Sequence, residues 1–300
     1  MFEQRPDNRV CAVIVTFRPR MEDLGNLARV RPQVEDLVVV DNGSAEEQLH
    51  QLRAASSALG FALIENGQNL GIAAALNIGV KWAQAKGSQW VALFDQDSAV
   101  TDGFIAQMLA DFEHYARQRN ILLLVPRYKD PGSGVERVCP MDEDGGPFVT
   151  ITSGSLLPVS AFEKCGYFNE ELFVYTVDDE YSLRLRSSGY SIALSPHALL
   201  LHASGVPSYF SVFGKQLFQT TNYRPGVRYY ISRNRVWMAL MYGVEYPRWV
   251  RGAFRSSLID FLKLAVAEEY RWLKVKMILL GLRDGLLGRM GKTITLEVYT

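Results

Sequence analysis

Asp95 and Asp97 are separated by Gln96 and follow the apolar run Trp90-Val-Ala-Leu-Phe94. At the end of a β-strand, residues i and i+2 face the same side, so both carboxylates can meet one ligand. Such a pair suits Mg²⁺ or Mn²⁺ held jointly with substrate phosphates, or it does no more than cap the next helix. A second cluster, Asp178-Asp179-Glu180, opens an apolar helical pattern. A carboxylate there can act as general base toward a hydroxyl; acids in a first helical turn are also favoured by the helix dipole, and one of the three is expected to do only that. Asn69-Leu-Gly71 leads into a segment containing Ala73, Ala74, Ala75 and Asn77. Free N–H groups at such a helix start can approach a phosphate or ribose, although an ordinary Ala-rich helix entered through glycine reads the same way. His202 is a lone histidine whose neutral imidazole is a competent metal ligand. Arg228, Arg233 and Arg235 can neutralise diphosphate on a donor or on a lipid-linked acceptor, or lie on one helix face as solvated charges.

The elements that must position these residues alternate. Val10 to Phe17, Leu37 to Val40, Phe61 to Ile64 and Trp90 to Phe94 read as buried strands. Helical patterns at 21–31, 44–59 and 72–86 separate them, with Ser44 expected as the N-cap of the second and Glu47 as its capping-box partner. This order predicts an α/β fold with a doubly wound, mostly parallel sheet, whose ligands bind beyond the carboxyl ends of the strands. Thr16, Asp41, Asn42 and the Asp95/Asp97 pair all fall at those ends. Further on, a strand is expected at 121–126, a mobile loop or β-ribbon at 130–146, and renewed sheet at 149–157 around Ser153-Gly-Ser155. A helix is expected at 178–187, stopped by Gly189. Beyond His202 the pattern predicts a loop, then helices at 228–242, 247–263 and 268–282.

With 300 residues, 48% of them hydrophobic, the chain can bury a substantial core. Its formal charge is zero, which gives a nucleic-acid partner no support. From Leu201 onward there are 15 Lys/Arg against 6 Asp/Glu, and before it 17 against 26. A basic tail carrying Trp and Tyr suits an anionic surface, either phosphates or a membrane face; a solvated helical face has the same composition. Cys11, Cys139 and Cys165 are too few and too scattered for a disulfide framework or a paired-cysteine metal site, so a reducing compartment is expected. Met1 to Arg9 lacks an apolar signal-type core, and no run of about 18 apolar residues exists to span a bilayer. The expectation is a cytoplasmic protein whose tail can rest on the inner face of a membrane.

Four motifs occur in order: Val38-Val-Val-Asp-Asn-Gly-Ser44, Asn69-x-Gly-x-Ala-x-Ala-x-Asn77, Phe94-Asp-Gln-Asp-Ser98 and Asp178-x-Glu180 with Arg184 and Gly189-Tyr190 behind it. Together they resemble the family 2 inverting glycosyltransferases of the GT-A fold. The Asp-Gln-Asp-Ser variant, with Arg228-Tyr-Tyr and Arg233-Asn234 downstream, is similar to bacterial dTDP-L-rhamnosyltransferases. The resemblance spans Val10 to Arg289. It implies a catalytic domain over 1–225, divided into a nucleotide-sugar half at 9–100 and an acceptor half at 101–225, and a basic amphipathic helical segment over 226–300.

By motif position it also implies roles. Thr16 and Asp41 border the base and ribose, and Asn69, Gly71 and Asn77 shape the donor pocket. Asp95 contacts the ribose or assists the metal, Asp97 ligates Mg²⁺ or Mn²⁺ directly, and His202 completes the metal or diphosphate site. Ser153 lines the donor sugar and acceptor, and Arg233 faces the donor diphosphate. Asp178 is the implied base. Val177 stands where many members carry Glu, which leaves Asp179 and Glu180 as alternatives. The implied reaction moves L-rhamnose from dTDP-β-L-rhamnose to a hydroxyl of a lipopolysaccharide core or O-antigen, on a glycan or glycolipid acceptor, with a homo-oligomer left open. The rival readings are a UDP-sugar donor and a sugar nucleotidyltransferase, the latter disfavoured because Thr16-Phe-Arg-Pro19 lacks a Gly-rich loop. Hydride transfer is disfavoured because no G-x-G-x-x-G follows the first strand. A module that binds glycan or nucleotide without catalysis has no missing acid to explain it.

Overall fold

The computed structural model describes residues 8–137, 139–202, 208–212 and 215–294. The expectations for residues 1–7 and for the loop directly after His202, at 203–207, lie outside them. The chain divides into two compact units, one of Met1–Glu170 with Val177–Ala203 and one of Glu171–Thr176 with Ser204–Thr300.

The first unit begins with strands and helices in alternation. β1 (Val10–Thr16), β2 (Asp36–Asp41), β3 (Ala62–Glu65) and β4 (Trp90–Asp95) are separated by α1 (Met21–Val30), α2 (Glu46–Leu59) and α3 (Ile72–Ala85). Every residue of β1 is buried, as a strand covered on both faces must be. β1 runs parallel to both β2 and β4, with Thr16 opposite Asp41 and Val15 opposite Asp95. Three polar strand ends are therefore level at one rim. α3 lies close on β1 because Gly79 has no side chain: a Cβ there would come within 2.2 Å of Val13 Cγ1. Gly79→Val is expected to destabilise the unit by about 2 kcal/mol or more through overpacking, read as a fall in thermal midpoint.

The second half of the sheet is mixed. β5 (Ser98–Val100), α4 (Phe104–Ala116), β6 (Ile121–Lys129), the short β7 (Glu136–Arg137), β8 (Ser155–Pro158), α5 (Ser160–Cys165), α6 (Val177–Ser187) and β9 (Ser191–His202) complete the unit. Among the described residues the strand order is β3-β2-β1-β4-β8-β6-β9-β5, with β7 on β6. β8 is antiparallel to β4 and β6, β9 is parallel to β6, and β5 is antiparallel to β9.

Two local expectations are corrected, and one strand has no counterpart in the sequence pattern. Ser44 does not cap α2, whose N-cap is Ala45 with no side-chain bond; Ser44 Oγ donates to Asp41 Oδ1 at 2.5 Å, a charged acceptor that outcompetes the helix end. Sheet resumes only at Ser155, because Gly154 turns the chain at φ +79°. The long strand β9 escaped notice because Pro196 interrupts its alternation, and the register with β6 shifts between Val125 and Arg127 to absorb it.

The second unit contains a hairpin, β10 (Ser208–Val212) with β11 (Lys215–Thr220), and three helices, α7 (Pro225–Tyr242), α8 (Pro247–Ala267) and α9 (Arg271–Leu286). The hairpin replaces part of the expected loop. α9 starts later than expected because Glu268 is the extended C-cap of α8, its carboxylate held by Arg228 and Lys274. Gly281 and Gly285 let α9 lie against α7: a Cβ on either would meet the carbonyl of Tyr229 or Arg233 at about 2.5 Å. Phe173, Tyr229, Tyr230 and Met277 form the core of this unit. Among the described residues no helix is long and apolar enough to cross a membrane.

Candidate active site

β4 ends at Asp95, and the chain turns over Gln96 and Asp97 into β5. Gln96 points away from its two neighbours: its Oε1 accepts the Phe17 amide at 2.8 Å and its carbonyl accepts Asn26 Nδ2 at 3.2 Å. This pins the turn to the end of β1 and leaves both aspartates on the other side. His202 reaches them through sheet register, since β5 pairs with β9 so that Ser98 lies opposite His202. Asp95, Asp97 and His202 bring three potential ligand atoms within 4.8 Å of one another. His202 Nδ1 is 3.7 Å from Asp97 Oδ1.

A buried polar relay supports the triad. The Asp95 amide donates to Ser153 Oγ at 3.0 Å, Ser153 Oγ lies 2.6 Å from Ser98 Oγ, and Ser98 Oγ lies 3.0 Å from His202 Nδ1. An Nδ1–H donated to Ser98 leaves Nε2 as the free lone pair. Ser153 thus organises the acidic turn from a buried position. Burial, above all, pushes the Asp95 carboxyl up to about 6, with His202 opposing and Asp97 adding to the rise. Two crowded carboxylates joined by one imidazole form a donor set that fits Mg²⁺ or Mn²⁺. Ser98→Ala is expected to weaken Mn²⁺ binding about tenfold, measured by electron paramagnetic resonance titration, with the fold retained.

The acids of α6 separate cleanly. Glu180 is 2% exposed and binds Arg184 through both oxygens at 2.9 Å. Arg184 also donates to the carbonyls of Cys165 and Tyr167, so Glu180 belongs to a buried structural pair. Asp179 lines a cavity of about 170 Å³ with Tyr128, Arg137 and Thr150. Asp178 shares a pocket wall with Leu93, Thr150 and Tyr181. Burial pushes its carboxyl up to about 7, Asp179 and Asp95 raise it further, and backbone amides at 178 and 179 oppose the rise. The influence of Asp95 on Asp178 places the β4 turn and the start of α6 in one electrostatic field.

The nucleotide half is ordered by buried polar contacts. Asp41 is fully buried and accepts Thr16 Oγ1, Ser44 Oγ and the amides of Gly43 and Ser44. Thr16 and Asp41 thus order the loop at 41–44 and present no surface of their own to a base. Asn42 staples this loop to the next: its Nδ2 donates to Asn69 Oδ1 and the Gly71 carbonyl, and its Oδ1 accepts Asn66 Nδ2 and the Leu70 amide. Asn69 Oδ1 also accepts the Gly71 amide, and Gly71 enters α3 at φ +90°. Asn77 is buried under the Phe168–Glu170 segment, donating to the Phe168 carbonyl and Glu170 and accepting the Phe168 amide. It ties α3 to that segment.

Arg233 lies in the second unit, and its expected contact with diphosphate is corrected. It is 0% exposed, and its guanidinium donates to the carbonyls of Gly291, Glu171 and Leu172 and to Asn234 Oδ1. Asn234 Nδ2 holds the carbonyls of Leu172, Val174 and Tyr175. The segment so held has Phe173, Tyr175 and Thr176 at φ near +60°, a strained left-handed conformation for non-glycine residues. Arg233→Leu is expected to cost more than about 3 kcal/mol in chemical unfolding, because several buried carbonyls lose their donor.

Residues 18–137 match the family Glycosyl transferase family 2. The chain is 28% identical over 304 residues to the dTDP-rhamnosyl transferase RfbF of Shigella flexneri, covering 95% of this chain and 98% of that one. Among solved structures it is similar to GalNAc-T7 with UDP, GalNAc and Mn²⁺, at 15% identity and TM-score 0.54, over 71% of this chain and 46% of that one. It is also similar to the mannosyltransferase PcManGT from Pyrobaculum calidifontis in complex with GDP-Man and Mn²⁺, at 14% identity and TM-score 0.51, over 93% and 74%. Residues 18–137 thus match a family 2 glycosyltransferase domain, the fold is GT-A-like, and the chain is a glycosyltransferase.

Proposed function

We propose that the chain transfers L-rhamnose from dTDP-β-L-rhamnose to a hydroxyl of a bacterial surface glycan, with inversion at the anomeric carbon. The observation that carries the chemistry is the Asp95, Asp97 and His202 triad, with Asp178 in the same unit and raised in part by Asp95 as the supporting base. The donor rests on similarity to RfbF along nearly the whole of both chains. Asp178 removes the acceptor proton as that oxygen attacks opposite the leaving group, giving an α-L-rhamnoside. Asp97, Asp95 and His202 would hold Mg²⁺ or Mn²⁺, which when bound offsets charge on the departing nucleoside diphosphate. The loops ordered by Asp41 and Asn42 seat the base and ribose.

Work at the inner face of a membrane is part of the same proposal. On α8, Phe254, Leu258, Leu262 and Val266 recur every fourth residue as an exposed apolar ridge, with exposed Arg251 and Arg255 on the same helix. This pattern suits an interfacial helix.

A donor screen tests the proposal. Thermal stabilisation and nucleoside diphosphate release are measured with dTDP-rhamnose, UDP-sugars and GDP-sugars, each with Mn²⁺, Mg²⁺ or EDTA. Metal-dependent stabilisation by dTDP compounds alone is expected. Preference for a UDP-sugar overturns rhamnose and keeps the transferase; indifference to every nucleotide overturns the proposed transfer.

A further inference from the structure

Within the second unit, α7, α8 and α9 enclose a groove of about 330 Å³. Ile231 and Val236 line it from α7, Val250 and Phe254 from α8, Ile278 and Leu282 from α9. α8 leaves the groove open because Trp249 and Leu264 are its only buried residues among those described. The volume lies within the ~300–1,000 Å³ of small-molecule sites, and the apolar lining with a few polar groups is their usual makeup.

The polar groups lie together. Arg228, Arg235 and Asp260 also line the groove. Arg228 is 4% exposed, and its Nε is buried with no hydrogen-bond partner among the described residues. Its Nη2 is 2.5 Å from Glu268 Oε1, but that carboxylate also accepts Lys274 Nζ at 2.8 Å and the hydroxyl of Thr220. Two buried cations therefore share one buried carboxylate. Asp260 stands 3.9 Å from Arg228 and 3.8 Å from Arg235, outside hydrogen-bond range of both. Arg235 donates to Ser256 and Ser257. A buried guanidinium N–H without an acceptor is costly, and a cluster with surplus positive charge favours an anion.

We infer that this groove binds a lipid phosphate, with a single alkyl or isoprenyl chain along the apolar lining and the phosphate at Arg228 and Arg235. The chain supplies the apolar burial and the head supplies the acceptor that Arg228 Nε lacks. The inference does not depend on which sugar nucleotide the first unit takes, and binding is measured without donor or transfer.

Dodecyl phosphate, below its micellar concentration, is titrated into the full chain by calorimetry. Dodecyl maltoside supplies the same chain on an uncharged head, inorganic phosphate supplies the head alone, and phosphatidylglycerol vesicles supply a bulk anionic surface. Saturable binding of one dodecyl phosphate per chain is expected, at least about tenfold tighter than dodecyl maltoside, with no binding of inorganic phosphate. Ala253→Trp, which fills the groove, is expected to abolish binding while its circular dichroism and thermal midpoint stay close to those of the parent. Asp260→Asn, on a partly exposed side chain, is expected to tighten dodecyl phosphate several-fold by removing the competing carboxylate. Equal affinity for the two heads, binding of phosphate alone, or binding only to vesicles overturns the site. So does a folded Ala253→Trp variant that binds like the parent, or an Asp260→Asn variant that binds dodecyl phosphate no tighter.

Discussion

Asp178→Asn is expected to lower kcat about 10²–10⁴-fold, the range general-base catalysis contributes, while donor affinity changes little. The amide keeps the shape and hydrogen bonds of the side chain but cannot take up the acceptor proton. Two companion variants separate the acids of α6. Asp179→Asn is expected to reduce the rate less, and Glu180→Gln to act through stability, since it breaks the buried pair with Arg184. A rate loss in Asp179→Asn exceeding that in Asp178→Asn would transfer the role. The pH profile gives a second readout. With its carboxyl pushed up to about 7, Asp178 is a competent base only once ionised, so at limiting metal kcat/KM rises with pH through about 7 and levels above it. The rise disappears in Asp178→Asn.

The same shift carries a stability consequence of opposite sense. Asp178 binds its proton more tightly folded than unfolded, so between its ordinary carboxylate range and about 7 the folded chain holds the extra proton. This contribution to stability is present at low pH and is lost as pH rises through that window. At pH 8 Asp178→Asn is therefore expected to unfold at a higher temperature than the parent, as removal of a strained active-site charge commonly does.

The four parallel strands were legible because each is a continuous β-branched run closed by a turn signal, and burial on both faces writes that pattern directly into sequence. The strands that complete the site were not. β5 has three residues and β8 four, and β9 carries Pro196 in its middle; each is a strand because of the partners it meets across the sheet. His202 was recognisable as a candidate ligand, but the β5–β9 register that delivers it to Asp97 has no local signature. Polar residues are ambiguous in a consistent way. Thr16, Asp41, Asn77, Ser153 and Arg233 have side chains that recognise nucleotides, yet each is buried and holds backbone or a neighbouring side chain in place. Sequence records that a polar group is required at a position and is silent on whether its partner is a ligand or a carbonyl. The one available hint concerned Glu180, whose i,i+4 spacing to Arg184 is the spacing of a helical ion pair.

Asp97→Ala is expected to remove Mn²⁺ binding in calorimetry and to lower transfer at least about 10²-fold at any metal concentration. The argument rests on what remains. Asp95 and His202 alone offer two ligand atoms, and Asp95 is the carboxylate already pushed up to about 6, so it binds a cation only against competition from a proton. His202→Ala is expected to be milder, because both hard oxygen donors survive and suit Mg²⁺ better than imidazole does. The selectivity should then move from Mn²⁺ toward Mg²⁺. The metal and the base are also linked through the field that joins Asp95 to Asp178. A cation at Asp95 and Asp97 offsets part of the negative charge that raises Asp178, so the pH midpoint of kcat/KM in the parent should fall as metal concentration rises. In Asp97→Ala that midpoint should no longer respond to metal. A variant that keeps both the Mn²⁺ isotherm and the metal-dependent midpoint would remove Asp97 from the site.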